Sequence, residues 1–184
     1  MIVVLSAALA LVSPPGIVPT PIGAGPRYKL PAARRAVREG RPVGTLRCAA
    51  GGARFGVHVE VFAYGRVVIV PAGIGVAEPA EKRLGIVVPQ GCTYPARTLA
   101  PTGVVEVARG WRLTLHDLFR LWGQRLDPNQ LAGFRSTSPL LAFVNRRRWA
   151  GDPRAIPLTR HAQIVLELGG YIPPHPSFLF PGGL

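Results

Sequence analysis

Lysine is almost missing from this chain. Of 22 basic residues, only Lys29 and Lys82 are lysine, and the other twenty are arginine. Acids are scarce too: nine in 184 residues, leaving a net charge of +13. No apolar run approaches the ~20 residues that span a bilayer, so a polytopic membrane protein is excluded. A G-X-Y period, sustained heptads and clustered cysteines are all missing, which removes the collagen-like, coiled-coil and zinc-finger classes. The four histidines, His58, His116, His161 and His175, show no H-x-H, H-x3-H or HExxH spacing. No metal motif follows, and no cofactor is expected. There is no G-x-S-x-G, and Ser136 and Ser138 have no local support as nucleophiles. Gly73 and Gly75 lack the lysine and the following helix that a phosphate loop requires. Paired-carboxylate chemistry needs two acids in one cleft, and in the first half of the chain only Glu60 and Glu106 fall in predicted strands. The chain reads as a non-enzyme with no catalytic residues.

What is present is a globular composition, 48% hydrophobic and 17% charged,. The high ratio of arginine to lysine fits a GC-rich genome, as do the abundant Ala, Gly, Pro and Val. It also fits an anion-binding surface, because the guanidinium is a planar fork matched to phosphate or carboxylate. The excess of positive over negative charge points to polyanionic surroundings: an envelope polymer, lipid headgroups, an acidic protein surface or nucleic acid.

Residues 1–26 carry no charge. The apolar run Ile2–Val12 has the length of a secretory h-region, although no basic n-region precedes it. Residues 13–26 hold five prolines and three glycines and read as an extended linker. Export is favoured over a buried N-terminal strand. In an exported protein Cys48 and Cys92 are expected to pair; the alternative is two separate buried thiols.

Along residues 27–184 the pattern predicts one α+β domain. It is a small mixed sheet under one covering amphipathic helix, β-grasp-like, or else two β lobes over 45–110 and 140–184 bridged by that helix. A short helix is expected at 32–39. Strands are expected at 57–62 and 67–70, joined by a tight turn at Ala63-Tyr64-Gly65-Arg66, and at 85–88 and 103–107. The helix is expected over 114–126. Thr114 is its cap, Asp117 sits in its first turn, and Leu115, Leu118, Phe119 and Trp122 form one apolar stripe. Further strands are expected at 141–144, 156–158 and 163–168. The segment 171–184 is proline-rich and is expected to be pinned by its aromatic rings.

Arg146-Arg147-Arg148 beside Trp149 supports two readings. Arginine next to an aromatic ring suits phosphate binding and base stacking. A charged hairpin turn also blunts a sheet edge. No zinc-finger, RRM or helix-turn-helix signature accompanies it.

The order of several short motifs carries a resemblance. They run His58…Phe62…Gly65…Val70-Pro71…Ile74-Gly75; then Cys92-Thr93-Tyr94-Pro95…Thr98…Gly103-Val104-Val105; then Thr114-Leu115-His116-Asp117-Leu118-Phe119…Trp122-Gly123. Phe143-Val144-Asn145, Asp152-Pro153-Arg154-Ala155-Ile156-Pro157-Leu158 and Ile164-Val165-Leu166-Glu167 complete the set. Over residues 48–184 this resembles a group of uncharacterised bacterial proteins, usually exported or membrane-tethered. Members of that group carry L-H-T-H-D where this chain has Ala96-Arg97-Thr98-Leu99-Ala100, with further histidines in the first strand and in place of Glu106. The resemblance implies a metal site there. In this chain only His58 remains as a weak candidate ligand, and Arg97 in a ligand's place would repel a cation and favour an anion. The expected anion-binding residues are therefore Arg97, Arg146, Arg147, Arg148 and Trp149. The expected protein is extracytoplasmic, basic and accessory, and it binds an anionic polymer, a membrane surface or an acidic protein. The alternatives are a nucleic-acid-binding protein and a metal-binding accessory protein using His58 with the two cysteines.

Overall fold

A computed structural model describes residues 32–174 and 177–184. The apolar leader and linker expected over 1–26 lie outside the described residues, as does His175. The fold is α+β.

A single turn, α1 (Arg35–Arg38), opens the described chain, shorter than the helix expected at 32–39. The long strand β1 (Arg54–Ala63) follows and turns through Tyr64 and Gly65 into β2 (Arg66–Val67). Both turn residues have positive φ, 52° and 72°. The second strand is shorter than the sequence suggested. β3 (Ala80–Arg83) and β4 (Ile86–Pro89) form a separate hairpin. Its first strand, Ala-Glu-Lys-Arg, has no apolar alternation and was not expected as a strand. β5 (Ala96–Arg97) and β6 (Val104–Ala108) lead to the main helix, α2 (Leu115–Trp122). Three two-residue strands, β7 (Leu126–Asp127), β8 (Gln130–Leu131) and β9 (Phe134–Arg135), make a small sheet of their own. β10 (Leu141–Val144) and β11 (Arg147–Arg148) form a hairpin, a 3-10 turn spans Pro153–Ala155, and β12 (Gln163–Leu168) is the last strand. The strand expected at 156–158 is only an isolated bridge from Pro157 to Thr114.

The main sheet runs β11-β10-β12-β1-β6-β5, with β2 also paired to β1. Its two central strands, β1 and β12, are parallel, and every other pair is antiparallel. Strands from both expected lobes thus lie side by side in one sheet. Val57, Val59 and Val61 alternate along β1 and face the core with Ile164, Leu166 and Leu168 of β12, as a period of two demands. The five buried side chains of α2, Leu115, Leu118, Phe119, Leu121 and Trp122, close the same core. Burying each such side chain contributes roughly 1.5–3 kcal/mol.

The helix starts where the sequence placed it. The Thr114 N–H donates to Asp117 Oδ2 at 2.9 Å. It ends four residues early, because Gly123 adopts φ 81° and donates its N–H to Phe119 O at 2.9 Å. Glycine takes that left-handed stop without a Cβ penalty.

The other face of β1 is covered as well, which is why the strand is buried almost throughout. Phe178 stacks on His58 with centroids 3.7 Å apart, and Phe180 stacks on His161 at 4.7 Å. A Cβ built on Gly56 would sit 2.6 Å from the Phe180 ring, so glycine there makes room for it. Cys48 and Cys92 form a disulfide, with Cα atoms 5.4 Å apart.

Candidate anion-binding surface

The arginines singled out in the sequence do not form one site. Arg97 is on β5 and Arg147 and Arg148 are on β11, at opposite edges of the main sheet. Five strand spacings separate them, on the order of 24 Å. Arg97 is also occupied. Its Nε and Nη2 both donate to Glu106 Oε2, at 2.8 and 2.7 Å, across the β5–β6 pair. The expectation that Arg97 would face an incoming anion is corrected by this ion pair, in which Glu106 already supplies the negative charge.

On β11 the expectation divides. Arg146, Arg147 and Arg148 are exposed, but successive strand residues project to opposite faces, so Arg147 and Arg148 do not converge. Trp149 is partly buried against the main core, and its indole N–H donates to Asp152 O at 3.1 Å. That ring is held as a packing element, not presented as a stacking platform. The charged edge strand matches the alternative of an edge blunted by arginine.

His58 is 4% exposed. It lies on β1, with Nε2 3.2 Å from Thr102 O and its ring stacked on Phe178 of the C-terminal segment. Both cysteine sulfurs are consumed by the disulfide. A disulfide sulfur is not a thiolate ligand, so with this bond formed His58 has no thiolate partner in Cys48 or Cys92,.

Two buried ionisable groups matter to the sheet. Arg54 opens β1 at 8% exposure. Its Nη1 donates to Pro95 O (3.3 Å) and Glu106 O (3.2 Å), and its Nη2 to Thr93 Oγ1 (2.9 Å) and Tyr94 O (3.0 Å). Burial, with Arg97 nearby, lowers its pKa to about 10, so it stays charged at neutral pH. Glu167 of β12 is 1% exposed on the sheet face opposite the core, and neither oxygen makes a hydrogen bond of standard geometry. Desolvation pushes its pKa up, outweighing the downward pull of the Ile172 amide.

The structure also assembles a group that the sequence reading passed over. The strand start at Phe55, the loop 111–114 and the loop 157–160 enclose a groove of about 440 Å³. A backbone bond from Leu158 N to Leu113 O (2.9 Å) and the Thr114–Pro157 bridge tie its two loops together. Its floor is apolar, with Leu113 and Leu158 buried. Its rim carries Arg112, Arg160 and Trp111, and the tryptophan is 42% exposed. The signal was available as Arg109-Gly110-Trp111-Arg112: a tryptophan between arginines at a glycine turn, next to no apolar partner. A wider hollow of about 860 Å³ lies beside β7–β9, with Arg125 and Arg135 on its walls. It also holds Asp127, whose carboxylate is 3.7 Å from Arg154, and the Tyr64 hydroxyl is committed to Arg135 O.

Comparison with protein-family models, with curated protein sequences and with solved structures found no match.

Proposed function

We propose that this protein is a non-catalytic, basic binding protein of the cell envelope or exterior, and that its partner is a polyanion. The observation that carries this reading is how seven of the nine acids are spent. Glu39, Glu81, Glu106, Asp127 and Asp152 are engaged in ion pairs with Arg35, Arg41, Arg83, Arg97 and Arg154. Asp117 is engaged at the start of α2, and Glu167 is buried. Among the described residues, exposed Arg109, Arg112, Arg125, Arg135, Arg146, Arg147, Arg148 and Arg160 take part in no ion pair. The surplus charge is thus held on the surface, where it attracts polyanions at long range.

The Cys48–Cys92 disulfide supports placement in an oxidising compartment, since such bonds are rare in the reducing cytosol,. It also weighs against the nucleic-acid reading, which the cytoplasm would favour. Among the described residues no helix is long and apolar enough to cross a membrane. The parallel first and last strands, flanked by antiparallel β6 and β10, with α2 packed into the same core, support a β-grasp-like assignment of the fold.

The test is binding of purified oxidised protein to polygalacturonate, poly(glycerol phosphate), inorganic polyphosphate and single-stranded DNA over a salt series. The reading expects affinity for an envelope-type polyanion to fall about tenfold or more between about 50 and 200 mM salt, as release of two or more counterions requires. Absence of binding to every polyanion at the lowest salt overturns it. Preference for DNA over all other probes replaces it with the nucleic-acid reading.

A further inference from the structure

We infer that the groove beneath Trp111 is the binding site, and that its occupant is a chain of acidic sugars bearing carboxylate or phosphate. This rests on the polyanion reading and names its site and ligand class.

Three observations converge on that groove. The first is volume: about 440 Å³ lies within the usual range for small-molecule sites, roughly 300–1,000 Å³,. The second is chemistry. An indole that is 42% exposed stands beside an apolar floor of Leu113 and Leu158, with Phe55 at the wall. An aromatic face over an apolar floor accepts a flat, weakly polar ring such as the C–H face of a pyranose. Polyphosphate offers nothing for that face. The third is charge. Arg112 and Arg160 stand on the two tied loops and form no ion pair among the described residues. They supply planar, bidentate donors for an anionic group on the ring or on its neighbour along the chain. Aromatic ring and arginine fork together select a ligand that is at once cyclic and anionic. An acidic sugar meets both demands, and it belongs to the oxidising, extracytoplasmic setting that the disulfide supports.

The site is also built to be rigid. Backbone bonds join its loops, and Thr114 in one of them starts α2, whose side chains are anchored in the core. Preorganised loops bind with less entropic loss than loops that must be ordered by the ligand.

The experiment compares the wild type with Trp111→Ala, Trp111→Phe and the double variant Arg112→Ala/Arg160→Ala. The probes are oligogalacturonate, inorganic polyphosphate and single-stranded DNA. Thermal melts accompany each variant; the exposed positions are expected to leave the melting temperature near wild type. Trp111→Ala is expected to weaken oligogalacturonate about tenfold or more, the scale of one lost stacking ring, and to change polyphosphate less than twofold. Trp111→Phe is expected to restore most of the loss. The double arginine variant is expected to weaken both ligands. Wild-type affinity for oligogalacturonate in Trp111→Ala, with binding lost instead in Arg146→Glu/Arg147→Glu/Arg148→Glu, overturns the site and leaves the polyanion reading standing. Loss of tight DNA binding in Trp111→Ala, with oligogalacturonate bound no better than polyphosphate, overturns the ligand class. Failure of the wild type to bind any probe overturns the polyanion reading itself.

Discussion

Arg54 and Glu167 are both buried charges in one sheet, and they act in opposite directions. Arg54 satisfies three carbonyls and one hydroxyl of the 93–106 segment, so it is a staple. Arg54→Met is expected to cost about 2–4 kcal/mol, because the acceptors are left buried without donors; a denaturant titration reads this as a lower midpoint at unchanged slope. Glu167 makes no such return, and its carboxyl keeps its proton in the folded state above the ordinary value of 4.5. The unfolded chain releases that proton first. The Glu167 contribution to stability is therefore fully present below the ordinary value of 4.5 and declines as pH rises toward the raised folded value,. Glu167→Gln is expected to flatten this dependence. Its melting temperature should match the wild type near pH 4.5 and exceed it at pH 8,. A wild-type melting curve that rises steadily from pH 4.5 to 8, unchanged in the variant, would contradict this.

At the level of elements, the sheet protects itself at both sides. β5 and β11 are two-residue edge strands, and each carries arginine. Short edges resist pairing with another chain, and on β11 the exposed arginine charge adds to this, whereas the β5 arginine is neutralised by Glu106,. Arg147→Val/Arg148→Val is expected to leave the melting temperature within a degree or two while promoting concentration-dependent association, visible by light scattering. The outer face of β1 is protected differently, by the rings of Phe178 and Phe180. Gly56→Val would occupy the position of the Phe180 ring. Proteolysis at 177–184 should then become faster while the core, on the opposite face, remains folded. The Leu84-Gly85 turn of the β3–β4 hairpin stands fully in solvent, with both residues at positive φ.

Over the whole molecule, what the sequence disclosed depended on periodicity. α2 was legible because a 3.6-residue apolar stripe follows a capping threonine, and β1 because valine recurs every second residue. The disulfide was readable from two cysteines in a chain suited to export. β3 was missed because Glu-Lys-Arg on a solvent-facing hairpin has no apolar face to announce it. The two-residue strands β5, β7, β8 and β9 are too short for any period. The site was harder still. Arg146–Arg148 stood out because like charges were adjacent, although a strand sends neighbours apart. Trp111, Arg112 and Arg160 are brought together by the backbone bridge between two loops, which no spacing rule encodes. The disulfide joins positions 44 residues apart. Cys48→Ser/Cys92→Ser is expected to lower stability by about 4 kcal/mol by the loop-entropy model, read as a drop in denaturant midpoint.

The central parallel pair has a bearing on how the chain is made. β1 pairs with β12, so residues 58–63 hydrogen-bond beside residues 163–168. A nascent chain that has reached residue 150 owns every core residue of α2 but lacks the strand that closes the sheet. Contacts so distant in sequence form slowly, because loop-closure entropy is spent before the pairing repays it. During synthesis the main sheet therefore stays unclosed until residues 163–168 have emerged, and the parallel pair can form only then,.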